Sequence, residues 1–240
     1  GDHEFMVVFN GMETDTSIFE IKELTFYKDP DVDIFSWTMF LPAILAGAQQ
    51  DSEQVPTVTS ATGRIWMDRN LGASRVATSM TDEAAYGDLY QWGRLADGHE
   101  QRTSGTTTTT SSSDVPGHNK FILAVDWRIP RNDQLWQGVN GINTPCPDGF
   151  RLPTSDEWDA EVDSWSSQDA AGAFASPLKL TMAGSRHYSS GGIGGIGNTG
   201  LYWGSTTYGT NPSAIHFDSS SEVGLASYWG KGFSVRCIKN

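Results

Sequence analysis

The sequence has few basic residues. Lys and Arg together number 16 against 29 Asp and Glu, so the formal net charge is −13 at pH 7 over 240 residues. A surface that binds nucleic acid or anionic lipid needs clustered Lys and Arg. The composition therefore argues against both kinds of partner, and the simplest interpretation of the acidity is that it keeps an exposed protein soluble.

Long apolar runs are also missing. The best candidate, residues 34–48, is interrupted by Pro42 and is shorter than the roughly 20 residues of a membrane-spanning helix. An acidic stretch precedes it, whereas a signal peptide starts with basic residues. We expect no membrane span, and we interpret this run as a buried core segment or a subunit contact.

Cysteine is scarce, because Cys146 and Cys237 are the only two in the chain. Two thiols cannot complete a tetrahedral zinc site by themselves, and neither lies in a Cys-x-x-Cys pair. They could remain buried thiols. They could instead form a disulfide, whose loop of about 90 residues would stabilise the fold by roughly 4 kcal/mol.

Glycine and tryptophan are plentiful, with 26 and 9 residues, and 38% of the residues are hydrophobic. These values are typical of a loop-rich fold that contains β-structure and a real core. The polar residues 49–54 mark a junction between two units. We expect a small β-containing N-terminal segment over residues 1–54 and one larger domain over residues 55–240.

Helix and strand signals both occur in the larger unit. Residues 64–67 predict a strand, and residues 81–95 have helical spacing. Thr154 and Glu157 form a capping-box pattern, which predicts a helix from there to about Trp165. Residues 103–114 form a Thr/Ser run that we interpret as an exposed loop. Strands and glycine-rich loops follow towards the C-terminus, so an α+β domain is expected.

Catalytic and metal-binding patterns do not stand out. No Ser/His/Asp arrangement can be singled out, and the glycine run 191–197 lacks the strand–helix context of a phosphate-binding loop. His99 and His118 flank the Thr/Ser run, and we expect them to be exposed loop residues rather than metal ligands. We predict no catalytic residue, no metal-binding residue and no cofactor. Asp82, Glu83 and Asp88 lie close together in sequence; we interpret them as a solvated acidic helix start, with a structural calcium site as the alternative.

Five blocks of sequence are distinctive when they occur together. They are residues 63–72 (GRIWMDRNLG), 86–93 (YGDLYQWG), 146–154 (CPDGFRLPT), 202–206 (YWGST) and 233–237 (FSVRC). In this order they resemble the Fibrobacter succinogenes major paralogous domain, which belongs to the broad superfamily of C-type-lectin-like and formylglycine-generating-enzyme-like folds. The resemblance covers roughly residues 57–239 and implies a C-type-lectin-like domain over residues 55–240. Cys146 and Cys237 match the cysteines of this pattern, which favours the disulfide.

Side chains within the blocks also have a physical interpretation. Four tryptophans in the blocks or just after one of them would anchor a fold that otherwise consists of loops; these are Trp66, Trp92, Trp158 and Trp203. Arg151 and Arg236 lie inside apolar strings, so each is expected to make paired hydrogen bonds to carboxylates or backbone carbonyls.

Two functions of the superfamily fit the sequence poorly. Chemistry of the formylglycine-generating type, as the resemblance implies, needs reactive cysteines, and here both cysteines occupy framework positions. Calcium-dependent lectins use a Glu-Pro-Asn or Gln-Pro-Asp loop followed by a Trp-Asn-Asp strand, and neither string occurs here. We therefore predict a binding module rather than an enzyme.

The C-terminal segment, residues 184–237, resembles the variable region of the target proteins of diversity-generating retroelements, which commonly use this fold. Mutagenesis at template adenines turns Asn codons into codons for residues such as Tyr, Ser, His, Asp and Thr. Most of the idiosyncratic residues in this segment are of these types, although Trp229 and Lys231 are not. The predicted ligand-contact residues are His187, Tyr188, Ser189, Thr207, Tyr208, Ser213, His216, Asp218, Ser221, Ser227, Tyr228, Trp229 and Lys231.

The resemblance implies recognition of a macromolecular ligand, which we expect to be a protein on a cell surface. Tyr and Trp give contact area at low entropic cost, and small polar residues adapt to a partner. The expected location is extracellular, on a virion or a prokaryotic cell surface, and the sequence leaves the oligomeric state open. There are two alternative hypotheses. The protein could be an envelope or adhesin-like structural protein of a prokaryote, or it could be a carbohydrate-binding module.

Overall fold

The structure is a computed structural model that describes residues 55–139, 141–209 and 211–240. The predicted N-terminal segment, residues 1–54 with its run 34–48, lies outside the described residues. The described part is an α+β fold that is rich in strands and has few helices. None of its helices is long and apolar enough to cross a membrane.

Two α-helices and thirteen strands, most of them short, occur in the described residues. The helices are α1 (Ser155–Asp163) and α2 (Ala170–Ala175). The strands are β1 (Thr57–Thr59), β2 (Ile65–Met67), β3 (Tyr90–Gln91), β4 (Thr106–Thr107), β5 (Phe121–Ile122), β6 (Phe150–Arg151), β7 (Ser185–Arg186), β8 (Ile193–Gly194), β9 (Gly200–Tyr208), β10 (Asn211–Phe217), β11 (Glu222–Ala226), β12 (Gly232–Phe233) and β13 (Ile238–Lys239).

One sheet joins the beginning and the end of the domain. Its strand order is β1-β2-β13-β6, and Ile238 of β13 pairs with Trp66 on one side and Arg151 on the other. Cys237 lies directly before β13, and a disulfide joins it to Cys146 at a sequence separation of 91. The predicted strand at residues 64–67 and the predicted disulfide are both confirmed.

In a second sheet, with strand order β11-β10-β9, most residues of β9 and β10 are buried, whereas Gly224, Leu225 and Ala226 of the edge strand β11 are exposed or half-buried. Successive residues of a strand point to opposite faces. Trp203 of β9 therefore packs into one apolar cluster with Trp92, whereas its neighbour Tyr202 packs into another with Trp66 and Trp158. All four predicted anchor tryptophans are buried.

A third sheet, with strand order β3-β12-β7-β8, brings distant parts of the chain together. Gly232 of β12 pairs with Gln91 of β3 and with Arg186 of β7. In a separate parallel pair, β4, which lies within the Thr/Ser run 103–114, pairs with β5, which lies after it. That run is therefore a loop only in part.

Helix α1 confirms the capping-box prediction. The Thr154 side chain accepts a hydrogen bond from the backbone N–H of Glu157, and the Glu157 carboxylate accepts one from the backbone N–H of Thr154. The same carboxylate also accepts two hydrogen bonds of 2.7 Å from the Arg151 guanidinium. This is the paired interaction expected for Arg151. The helix ends at Asp163, slightly before the predicted end near Trp165.

The helix predicted over residues 81–95 is wrong. The structure has a 3-10 turn at Glu83–Ala85, capped by Asp82, and then strand β3. Gly87 between them has a φ of +67°, and a side chain there would lie 2.2 Å from the carbonyl oxygen of Leu71. A backbone in the left-handed region ends a helix, so the apolar spacing in this stretch comes from a turn and a strand.

Candidate ligand-binding surface

Three of the predicted contact residues form an exposed cluster of rings. The His187 and Tyr188 rings stack with centroids 4.7 Å apart, and Tyr228 meets Tyr188 edge-on at 5.1 Å. Tyr228 is 44% exposed, His187 is exposed and Tyr188 is half-buried. We call His187, Tyr188 and Tyr228 the aromatic patch.

The pairing of β7 with β12 explains why these residues meet. The two strands are antiparallel with Gly232 opposite Arg186. The chain leaving β7 and the chain entering β12 therefore emerge at the same end of the sheet. Residues 187–189 and 228–231, which are 39 or more positions apart in sequence, are neighbours for this reason.

Buried polar contacts fix the loop that carries His187 and Tyr188. Arg186 is 3% exposed, and its guanidinium donates hydrogen bonds to the carbonyl oxygens of Gly191 and Ser104, at 2.9 and 2.6 Å. It also lies over the Phe121 ring, 4.3 Å from the centroid. The backbone N–H of His187 donates to Gly192, and that of Gly191 donates back to His187. The loop is a closed turn rather than a free segment.

The turn that carries Tyr228 is equally constrained. The backbone N–H of Lys231 donates to Tyr228, and that of Gly230 donates to Val125. A side chain at Gly230 would lie 1.8 Å from the Ala124 carbonyl oxygen, so only glycine fits there. Val125, itself 50% exposed, thus lies beside the turn. Sequence reasoning missed Val125, because an isolated valine in a loop carries no distinguishing signal.

Lys231 and Ser189 belong to the margin of the aromatic patch. Ser189 is exposed and its hydroxyl lies 3.0 Å from Nδ1 of His187, which orients that ring. Lys231 is half-buried, with Nζ 5.8 Å from the centre of the Phe233 ring. The structure therefore brings together five of the thirteen predicted residues.

Three predicted contact residues are buried, which corrects the prediction at those positions. Trp229 is 2% exposed and packs edge-on against Trp92 at 4.5 Å, so it is part of the core. Ser213 and Ser227 are 4% and 6% exposed. Ser213 lies in β10, and the backbone N–H of Ser227 donates a hydrogen bond to the Pro212 carbonyl oxygen. The side chains of Trp229 and Ser227 do not reach an external ligand, and Ser213 is not part of the exposed surface.

Thr207 and Tyr208 lie elsewhere, at the end of β9. The Tyr208 hydroxyl donates a 2.8 Å hydrogen bond to Oγ of Ser155 at the start of α1, and the Tyr208 side chain is 55% exposed. Gln137 donates to the Thr207 hydroxyl at 3.1 Å. Both residues are accessible, at the end of β9 away from His216.

His216, Asp218 and Ser221 lie at the opposite end of β10. The Asp218 carboxylate accepts hydrogen bonds from Ser220 and from the Ser221 backbone, which closes the β10–β11 turn and lowers the pKa of Asp218. β10 has seven residues, so its two ends are about 20 Å apart at the rise of a strand. The accessible residues predicted between 187 and 231 therefore lie in three groups, around the aromatic patch and at the two ends of β10.

The prediction that His99 is an exposed loop residue is wrong, because His99 lies in a buried polar cluster. His99 is fully buried, and its Nε2 accepts a hydrogen bond from the Gln91 backbone N–H at 3.0 Å. Its Nδ1 therefore carries the proton and lies 2.7 Å from Oδ1 of Asp97. Burial raises the pKa of Asp97, but hydrogen bonds from His99 and Arg94 outweigh it and hold the pKa at about 2. His118 is half-buried.

The same cluster is the one grouping of the described residues with the composition of a metal site. One ligand atom each from Asp97, His99 and Glu100 lies within 4.8 Å of the others. Both histidine nitrogens are engaged, however, and Glu100 accepts from the Gly98 backbone N–H at 2.9 Å. Internal hydrogen bonds explain this geometry, and they hold the segment 97–104 against which Arg186 packs.

Comparison of the chain with protein-family models, with curated proteins and with solved structures yields no match.

Proposed function

We propose that the chain is a non-enzymatic recognition protein with a C-type-lectin-like fold, and that it is the variable target of a diversity-generating retroelement. Its ligand is a macromolecule, namely a protein on a cell surface, and it acts outside the cell on a virion or a prokaryotic surface. The strand-rich α+β architecture and the disulfide at the two framework cysteines support this fold. Disulfides persist in oxidising compartments, which supports the location.

The observation that carries the proposal is the aromatic patch. Two tyrosines and a histidine expose their rings together, and all three are residue types that adenine mutagenesis of an Asn codon produces. Tyrosine rings on a rigid support are the usual anchors of protein-binding surfaces. The support here is rigid, because Arg186 and Gly230 fix both loops from beneath.

The genetic part of the proposal has a direct test. Sequencing the gene and its downstream region should reveal a near-repeat of the segment encoding residues 184–237 that differs only at adenines, beside a reverse-transcriptase gene. The differing codons should include those of the aromatic patch, whereas the codons of Ser213 and Ser227 should match the template. Absence of both repeat and reverse transcriptase would leave an envelope or adhesin-like structural protein as the better reading.

The binding part needs a separate experiment. Fluorescently labelled full-length protein is incubated with a panel of intact prokaryotic cells, with and without protease treatment of the cells. The double variant Tyr188→Ser/Tyr228→Ser should lose binding, whereas Ile196→Ser, which also replaces an exposed apolar residue, should retain it. Binding that survives protease but is competed by free glycans would favour the carbohydrate-binding alternative.

A further inference from the structure

A pocket of about 330 Å³ lies between α1 and the sheet β11-β10-β9, away from the aromatic patch. Helix α1 packs against all three strands, so its first turns form one wall and the strands form the other. The lining includes Ser155, Trp158, Asp159, Tyr208, Ser213 and Leu225. The hydrogen bond from Tyr208 to Ser155 joins the end of β9 to the helix and closes one side of the pocket.

The polar side-chain atoms of this lining are oxygens, apart from the Trp158 indole nitrogen, which already donates to the Trp203 carbonyl oxygen. Ser213 is 4% exposed and its Oγ has no hydrogen-bond partner, although a buried hydroxyl normally has one. The Tyr208 oxygen donates to Ser155 and keeps its own lone pairs free to accept. Among the described lining residues there is no Lys, Arg or His. The pocket therefore suits a ligand that donates hydrogen bonds, with an apolar portion against Leu225.

The rim of the pocket carries uncompensated negative charge. Asp159 lines the pocket, and Asp156 and Asp163 stand three residues before it and four after it in α1, on the same helix face. Within the part of the chain that the structure describes, no ion pair involves any of the three. Burial and then the charges of Asp156 and Asp163 raise the pKa of Asp159. A cation at this rim would relieve that repulsion.

We propose that this pocket binds an alkylammonium group, supplied either by a small amine or by a lysine side chain of a protein partner. The ammonium group lies at Asp159 and donates to the neighbouring hydroxyl oxygens, and the alkyl chain lies along Leu225. The overall charge of −13 adds a long-range attraction for such a ligand. This site does not depend on the aromatic patch, so either one can fail without the other.

The test uses the full-length chain, labelled with ¹⁵N, and n-pentylamine, which is an ammonium ion at pH 7. Saturable shifts are expected at the backbone amides of Ser155, Asp159 and Gly224, and 1-pentanol at the same concentrations should not produce them. Asp159→Asn should weaken pentylamine binding by about fivefold. Asp148→Asn, which removes an equal charge at an exposed turn, should leave it unchanged.

Two further measurements identify the source of the ammonium group and test the role of Ser213. Nα-acetyl-lysine methylamide should shift the same amides if the natural source is a lysine side chain, whereas a response to pentylamine alone points to a small amine. Ser213→Ala should fold normally and bind pentylamine more weakly. Equal binding of pentanol, shifts confined to other residues, or equal weakening by Asp148→Asn and Asp159→Asn would each overturn the proposal.

Discussion

Asn70 and Arg236, 166 residues apart in sequence, are joined by two hydrogen bonds in the core. The guanidinium Nε and Nη2 of Arg236 both donate to Oδ1 of Asn70, at 3.1 and 2.8 Å. A third nitrogen, Nη1, donates to the Leu178 carbonyl oxygen at 2.7 Å. The paired hydrogen bonds expected for Arg236 are confirmed. Their acceptors are an amide and backbone carbonyls rather than a carboxylate, so a buried cation holds three distant segments together.

Arg236→Lys should therefore destabilise the fold. A lysine ammonium cannot reach the same fork of acceptors, and it leaves buried oxygens unsatisfied, so we expect a loss of about 3 kcal/mol in the free energy of unfolding. Urea denaturation measures this. Arg64→Lys is the matched control, because Arg64 is largely exposed and pairs with Glu157 at the surface. A loss at Arg236 no larger than at Arg64 would show that the buried network contributes little.

Tyr228 and Trp229 are adjacent in sequence but should respond in opposite ways to alanine. Trp229→Ala opens a cavity beside Trp92 and should cost about 3–5 kcal/mol of unfolding free energy. Tyr228→Ala removes a half-exposed ring and should cost less than about 1 kcal/mol. Thermal unfolding of both variants, with ligand binding measured on Tyr228→Ala, checks the division between core and binding surface. A loss beyond about 2 kcal/mol at Tyr228 would make it a core residue.

Glu161 gives the stability a pH dependence. Its carboxylate is fully buried without a hydrogen-bond partner, and burial raises its pKa above the ordinary 4.5, although Ser60, Trp165 and Arg236 nearby partly counter this. The folded state then holds the proton more tightly than the unfolded state, so stability falls as pH rises from about 4.5 through the folded-state pKa.

Glu161→Gln should remove this loss. Its melting temperature should exceed that of the original protein at pH 8 and approach it at pH 4. Asp163→Asn, at an exposed site on the same helix, provides the control and should leave the difference between the two pH values unchanged. Identical pH profiles for Glu161→Gln and the original protein would show that the carboxyl is paired in solution.

The disulfide should contribute through its long loop. Replacing Cys146 and Cys237 together by alanine should lower the free energy of unfolding by roughly 4 kcal/mol, because the closed loop of 91 residues no longer restricts the unfolded chain. Denaturation of the original protein with and without a thiol reductant should show the same difference. The double variant should not respond to the reductant; if it does, the reductant acts on something other than this bond.

The features predicted correctly from sequence are those that local chemistry determines. The capping box at Thr154 depends on residues three apart, and it formed as expected. The anchor tryptophans are buried, as expected, because burial removes the large apolar surface of each tryptophan side chain from water. The helix predicted over residues 81–95 does not form, because Gly87 adopts a left-handed backbone conformation. The apolar spacing of the sequence does not reveal that conformation.

The candidate site was harder to predict for a tertiary reason. Tyr228 and Trp229 are both aromatic residues in one turn, and only the position of Trp92 decides which of them points inward. His99 is buried because Asp97 and Gln91 satisfy its two nitrogens, and sequence alone does not place those partners. The grouping of residues 187–189 with 228–231 depends on strand register between β7 and β12, which composition does not encode.

The sheet β11-β10-β9 restricts how this protein can evolve. Side chains of β9 and β10 pack into core clusters on both sides of these strands, so most of their interior positions do not tolerate arbitrary replacement. Substitutions in the C-terminal quarter that leave the fold intact are therefore expected at the turns and strand ends, chiefly around residues 187–189, 207–208, 218–221 and 228. A mutational process confined to those codons could sample many sequences while almost every product still folds.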